Sequence, residues 1–235
     1  MLALELLLAF LGGVCPALLW LFFWLMEDKC QPEPKRYIFY SFAAGMLAVV
    51  PALLLESWAQ SYFAPYSLGL LCAWAVVEEV MKFAAAYFVA LRLFVYDEPL
   101  DAVVYMVTAA LGFSALENIL FLWGPIHDGL LLKSIMLGES RFMGATLVHT
   151  LSSATVGIAL ALSFAKPAST RKLFALCGLI LAAALHTTYN YFILTTEGND
   201  ASRAQETFWI FVCVWFGIIA TLLMVERLKK PNDYC

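Results

Sequence analysis

The sequence has little charge. Only 14% of its 235 residues are Asp, Glu, Lys or Arg, whereas 63% are hydrophobic. A typical soluble domain carries about 25% charged and about 45–50% apolar residues. The formal charge is −4, and basic residues occur in runs no longer than a pair or triplet, which excludes a nucleic-acid partner. We therefore expect a polytopic membrane protein that lies in a lipid bilayer.

Long apolar runs stand where a soluble protein would have charge. A helix needs about 20 apolar residues to cross a hydrocarbon layer of about 30 Å, and lipid leaves backbone polar groups unsatisfied unless the segment is helical. Seven runs are long enough: 2–26, 37–55, 66–91, 102–123, 142–164, 173–194 and 208–225. The predicted fold is an all-α transmembrane helix bundle of about seven spans, with eight as the alternative count. It forms one integral membrane domain over 1–235, whose motif-bearing core is about 66–194.

Basic residues between the spans predict the orientation. Even-numbered connections hold three of them, Lys133, Arg141 and Arg203. The odd-numbered connections and the tail hold ten: Lys29, Lys35, Arg36, Arg92, Lys166, Arg171, Lys172, Arg227, Lys229 and Lys230. Because cytoplasmic loops are enriched in Lys and Arg, the N-terminus is predicted outside and the C-terminus inside. The fourth connection, 124–141, is predicted to be the longest outer loop, with a short interfacial helix near 130–137.

Cysteine is also scarce in the places where disulfides form. Of six cysteines, Cys30 and Cys235 lie on the predicted cytoplasmic side, and the other four lie in spans at Cys15, Cys72, Cys177 and Cys213. None lies in a predicted outer loop, so we expect no structural disulfide. We interpret the four in spans as small, buried apolar residues.

A few ionisable residues interrupt the spans, where each costs a few kcal/mol and normally marks function. They are Glu78, Glu79 and Lys82 in span three, Glu117 in span four, His149 in span five, and His186, with Asn190, in span six. Spacings of three and four residues place Lys82 beside both glutamates, and Asn190 beside His186, on one helix face. With a rise of about 1.5 Å per residue, the sites fall at overlapping depths in the outer half of the membrane. We expect them to converge.

Two histidines with two or three carboxylates suit the activation of water. Imidazole and carboxylate are ligands for a divalent ion such as zinc, and a further carboxylate can act as general base. The same groups could also act without a metal, or serve as a proton or ion relay in a small transporter or receptor. A structural Glu–Lys ion pair and interhelical hydrogen bonds are the non-functional alternative. Adjacent Glu78 and Glu79 point about 100° apart on a helix, so their roles must differ.

The motifs together resemble those of the PrsW family of intramembrane proteases, which is related to the type II CAAX prenyl endopeptidases. The resemblance covers about residues 74–192. It rests on EExxK at Glu78 to Lys82, FxxxE at Phe113 to Glu117, His149, and HxxxN at His186 to Asn190. CAAX-type relatives carry EExxxR and FxxxH instead, so the PrsW-like branch fits better.

The resemblance implies cleavage of a membrane-anchored protein, such as an anti-sigma factor, on the extracytoplasmic side of a bacterial inner membrane. It implies that Glu78 and Glu79 supply the base and a supporting or ligand role. Glu117, His149 and His186 would bind the metal, expected to be zinc, or polarise the oxyanion. The remaining implied roles are orientation of His186 or the substrate carbonyl by Asn190, retention of a glutamate by Lys82, and packing by Phe113. No sequence feature sets an oligomeric state.

Overall fold

A computed structural model describes residues 2–26, 31–195 and 200–228 of the chain. Within these ranges the regular structure is helical. The helices are α1 (Leu2–Met26), α2 (Lys35–Ala59), α3 (Leu68–Ala86), α4 (Asp101–His127), α5 (Leu131–Ser140), α6 (Thr146–Leu162), α7 (Ala168–Thr195) and α8 (Asp200–Leu228). A π-helical turn, Tyr87–Leu91, extends α3, and a second one, Arg141–Ala145, joins α5 to α6. The prediction of an all-α transmembrane bundle is confirmed.

The spans agree with the predicted apolar runs. Among the described residues, six helical segments are long and apolar enough to cross a membrane, and one of them is the continuous segment Leu131–Leu162. A seventh, α3 with its π-helical turn, has the length of a span, but it carries Glu78, Glu79 and Lys82. These three ionisable residues lower the hydropathy of α3, and they are also the residues of its EExxK motif.

Helix α4 forms the centre of the bundle, because α1, α2, α3 and α6 all pack against it. Its first fifteen residues are all buried. Close approach depends on glycine: a Cβ atom on Gly112 would meet the carbonyl oxygen of Phe42, and one on Gly45 would meet the carbonyl oxygen of Ala109. In lipid, where small residues permit tight helix packing, these two glycines hold α2 directly against the helix that carries Glu117.

The predicted long outer loop over 124–141 is wrong. Helix α4 continues to His127 and α5 begins at Leu131, so only residues 128–130 connect them. Pro125 lies inside α4, within its last turn, where its nitrogen cannot donate to the carbonyl oxygen of Phe121, yet the helix continues to His127. The apolar segment 130–137 was correctly predicted to be helical, but it forms the beginning of the next span.

The described cysteines are placed differently from the prediction. Cys15, Cys72, Cys177 and Cys213 are free thiols on the exposed surface of the helices, so the interpretation that they are buried packing residues is wrong. Hydrophobicity alone predicts that a residue avoids water, and in a membrane protein the lipid-facing surface satisfies that preference as well as the core does. Cys30 and Cys235 lie outside the described residues, as do Lys29, Lys229, Lys230 and the side chain of Arg203.

Candidate active site

Four helices bring the predicted polar residues into one cluster. Helix α3 contributes Glu78, Glu79 and Lys82, α4 contributes Glu117, α6 contributes His149 and α7 contributes His186. All are buried except Glu117, whose side chain is 18% exposed. On α4 and α7 the cluster lies nearer the ends at which the helices finish, and on α3 with its π-helical turn it lies near the middle. The expected convergence of these six residues is therefore present in the structure.

Glu79 is the most fully hydrogen-bonded carboxylate of the cluster. Its Oε1 accepts from Lys82 Nζ at 2.6 Å and from Ser152 Oγ at 2.8 Å, and it lies 2.8 Å from His186 Nδ1. Its Oε2 accepts from Ser153 Oγ at 3.4 Å. A buried carboxylate is stable only when its lone pairs are matched by donors, and Glu79 meets this condition through three helices.

Each histidine is oriented by a carboxylate that contacts the ring nitrogen farther from Glu78. His186 Nδ1 lies 2.8 Å from Glu79 Oε1, and His149 Nε2 lies 2.9 Å from Glu117 Oε2. An ionised carboxylate can only accept, so each of these nitrogens carries the proton and the other ring nitrogen presents its lone pair. Those second nitrogens, His186 Nε2 and His149 Nδ1, both point toward Glu78.

Glu78 is the carboxylate with spare acceptor capacity. Its Oε2 is buried and, in the described part of the chain, has no hydrogen-bond partner. The nearest polar atoms are His149 Nδ1 at 3.6 Å, His186 Nε2 at 3.8 Å and Lys82 Nζ at 3.8 Å. An unsatisfied buried carboxylate oxygen is costly, and such an atom between two imidazole lone pairs is a position for a water molecule or a cation.

Glu78, His149 and His186 have the donor chemistry of a metal site. One ligand atom from each lies within 4.8 Å of the others. Ligands of a tetrahedral zinc ion at about 2.0–2.1 Å are about 3.3 Å apart, close to the 3.6 Å and 3.8 Å separations from Glu78 Oε2. Lys82 Nζ also lies 2.8 Å from His149 Nδ1. Coordination through Nδ1 requires the ammonium to give up this contact, while its 2.6 Å pair with Glu79 can remain. The three residues therefore fit a divalent cation.

Two sequence-predicted residues lie at the edge of this arrangement. Asn190 is half-buried, one turn beyond His186 on α7, and no hydrogen bond within the described residues links it to the cluster. Phe113 is buried, with its ring centroid 5.8 Å from that of His149 and 5.1 Å from Lys82 Nζ. The aromatic ring thus closes the apolar side of the site.

Four polar residues near the cluster were missed as site residues in the sequence. Ser152 and Ser153 follow His149 by three and four residues, a spacing that places them on its helix face and could have identified them. Arg141 was interpreted as a loop charge, yet its Nη2 donates to Glu117 Oε2 at 2.5 Å and its Nε donates to Asn118 Oδ1. No sequence pattern links Arg141 and Asn118, because that contact depends on how α4 and α5 pack.

Comparisons with known proteins give a consistent result. The family model described as "PrsW family intramembrane metalloprotease" matches residues 33–222. The chain is 27% identical to "Protease PrsW" of Geobacillus kaustophilus (strain HTA426) over 191 residues, 79% of this chain and 80% of that protein. It is 24% identical to "Protease PrsW" of Bacillus subtilis (strain 168) over 230 residues, 94% of each chain. No solved structure matches the chain significantly.

Proposed function

The chain belongs to the PrsW family of intramembrane metalloproteases, and from that premise we propose that this membrane protease cleaves a membrane-anchored protein on its extracytoplasmic side. The substrate that the family resemblance favours is an anti-sigma factor, and the cleavage is the first step of a regulated proteolysis. The observation that carries the proposal is the buried, unpartnered Glu78 Oε2, which lies between the lone-pair nitrogens of two histidines.

We assign proton acceptance to Glu78. Its Oε2 faces the two histidines, and its other oxygen, Oε1, accepts a proton from the water molecule that attacks the scissile carbonyl carbon. The proton passes to the peptide nitrogen as the C–N bond breaks. A positioned general base of this kind contributes about 10²–10⁴-fold to the rate. Glu79 is unsuited to the role, because Lys82, His186 and two serines already occupy its oxygens.

Glu78, His149 and His186 are proposed to hold a zinc ion. When bound, the ion supplies Lewis-acid activation of water and of the peptide carbonyl. Glu79 and Glu117 would then accept hydrogen bonds from the ring nitrogens that do not bind the metal. This arrangement fixes the tautomer of metal-binding histidines. This assigns to Glu117 an orienting role in place of direct ligation, because its Oε2 bonds with Arg141 and His149 Nε2.

The remaining proposed features concern placement and substrate. The predicted orientation, with the N-terminus outside, puts the starts of α3 and the ends of α4 and α7 at the extracytoplasmic face of a bacterial inner membrane. Glu117 and His186 lie nearer the ends at which α4 and α7 finish, which favours cleavage on the outer side of the membrane centre. Asn190 lies half-buried one turn beyond His186, a position from which it can contact a substrate carbonyl. We propose that the single domain contains the whole catalytic site within residues 66–194.

The test compares membranes of cells that produce the wild-type chain with those that produce Glu78→Gln. We expect one anchored protein to accumulate uncleaved with the variant, and the wild type to release its extracytoplasmic part. Glu139→Gln is the matched control, because it makes the same chemical change at an exposed residue of α5. Equal cleavage of all anchored proteins by wild type and Glu78→Gln, with both proteins folded, would contradict the proposal.

A further inference from the structure

Arg141 is a charged residue within the π-helical turn, and its side chain contacts one face of α4. Its Nη2 donates to Glu117 Oε2 at 2.5 Å, its Nε donates to Asn118 Oδ1, and its guanidinium carbon lies 4.0 Å from the Phe121 ring centroid. The side chain is only 12% exposed. An arginine held by two hydrogen bonds and a ring face has little freedom, because its planar group must satisfy all three contacts at once.

The same carboxylate oxygen connects Arg141 to the active site. Glu117 Oε2 accepts from Arg141 Nη2 and also lies 2.9 Å from His149 Nε2. A glutamate has three rotatable side-chain bonds and loses entropy when its carboxylate is held in one place. The guanidinium of Arg141 therefore helps to hold the Glu117 carboxylate against the His149 imidazole.

A second contact anchors the arrangement to α6. Asn118, which accepts from Arg141, donates through Nδ2 to Thr146 Oγ1 at 3.1 Å. Thr146 also accepts from Ser114 Oγ at 3.1 Å and lies three residues before His149 on α6. Arg141 is thus bonded to two neighbouring residues of α4, one that contacts the imidazole and one that contacts the turn preceding it.

The π-helical turn itself sets the direction of Arg141. Such turns are rare and frequently occur at functional sites, and one added residue changes the angular position of the preceding segment by about 100°. A Cβ atom on Gly144, inside this turn, would collide with the hydroxyl of Tyr189 on α7. The turn therefore lies directly against the Tyr189 side chain of the helix that carries His186, and a larger residue at Gly144 would have to displace that side chain.

We propose that Arg141 is a positioning residue of this protease, which acts through Glu117 to hold His149 with Nδ1 directed at Lys82 and Glu78. The expected effect of Arg141 on catalysis rests on the proposed function. The positioning itself is a property of the chain and can be measured in a protein that is not turning over substrate.

The test replaces Arg141 by Gln in the full chain and uses Lys133→Gln as the matched control, since Lys133 is an exposed cation on α5, the helix that runs into the π-helical turn. Loss of a residue that orients a metal-binding or catalytic group typically costs about 10–100-fold. We expect Arg141→Gln to lower kcat by about that factor with KM within about twofold, because the substrate site is untouched. Arg141→Lys should recover part of kcat, since it keeps the charge but not the two-pronged geometry.

A spectroscopic measurement separates positioning from a general structural role. The chain has 3 histidines, so selective ¹⁵N-histidine labelling gives a small set of ring signals. We expect a downfield Nε2–H proton of His149 that shifts upfield in Arg141→Gln and is retained in Lys133→Gln. The Nδ1–H signal of His186, which lies beside Glu79, should move less than the His149 signal, because only the ring contact with His149 changes.

The kinetic and NMR measurements on the Arg141 variants either support or contradict the positioning role. An unchanged His149 signal in folded Arg141→Gln, or a loss of activity carried by KM alone, overturns the proposal and makes Arg141 a substrate contact or a bystander. If the wild-type chain proves inactive against every anchored protein, the proposed function fails, and the His149 signal still decides the positioning role. If Arg141→Gln does not fold, the comparison is made with Arg141→Lys, for which an unshifted signal and an unchanged kcat overturn it.

Discussion

The region around Glu79 and the region around Glu78 are adjacent in sequence and opposite in character. Around Glu79, donors from α3, α6 and α7 occupy both carboxylate oxygens. Around Glu78, the Oε2 atom is buried without a hydrogen bond in the described structure. Both side chains are less than 10% exposed. Burial alone therefore does not distinguish a supporting carboxylate from a reactive one, whereas the count of satisfied lone pairs does.

The difference has a physical origin in helix geometry. Consecutive residues of a helix point about 100° apart, so Glu79 is directed at Ser152 and Ser153 on α6, while Glu78 is directed at the space between the two imidazoles. A buried carboxylate without hydrogen bonds destabilises the fold, so the surrounding structure must offset that cost. The network around Glu79 supplies that stability.

The largest expected effect is on catalysis at Glu78. We expect Glu78→Gln to lower proteolysis by about 10²–10⁴-fold, the contribution of a general base. Its thermal unfolding in detergent should change little, because the carboxylate has no hydrogen bond to lose at Oε2. Cleavage of an anchored substrate in proteoliposomes and a melting curve measure the two quantities. Cleavage near the wild-type rate by the folded variant would remove the distinction between the two glutamates.

The second effect is on stability at Glu79. Glu79→Gln leaves the Lys82 ammonium buried without the negative charge closest to it, and breaking a buried pair costs about 3–5 kcal/mol. We therefore expect a lower melting temperature than for Glu78→Gln, together with reduced activity. Because removal of both partners is milder than removal of one, Glu79→Gln with Lys82→Met should recover part of the stability. Equal melting temperatures for Glu78→Gln and Glu79→Gln would show that the two regions are equivalent.

The third effect is on metal affinity, and it sharpens the division between ligand and supporting carboxylates. We expect Glu117→Gln to weaken zinc binding by about 10–100-fold, as for other groups that orient a histidine ligand, while Glu78→Gln weakens it further. Elemental analysis and calorimetric titration of purified protein measure this without an activity assay. A Glu117→Gln variant that binds zinc less tightly than Glu78→Gln would return Glu117 to the ligand set.

Much of the arrangement could be predicted from particular residues. Glu78, Glu79 and Lys82 stand in an otherwise apolar segment, where their cost indicates function, and their spacing of three and four residues predicts the contacts of Lys82 with both carboxylates. Arg141 could not be placed in the same way. Its contact with Glu117 joins residues 24 apart and depends on a π-helical turn, which hydropathy does not reveal.

The sequence by itself determined that this chain is a bundle of membrane-spanning helices, and that seven polar residues on four of them were candidates for one site. That much follows because lipid forces every span to be helical, and because helical spacing relates residues within a span. The tertiary structure decided which lone pairs are occupied. Hydrogen-bond satisfaction is a property of atoms from different helices, so it separated Glu78 from Glu79, oriented the two histidines and brought Arg141 to Glu117.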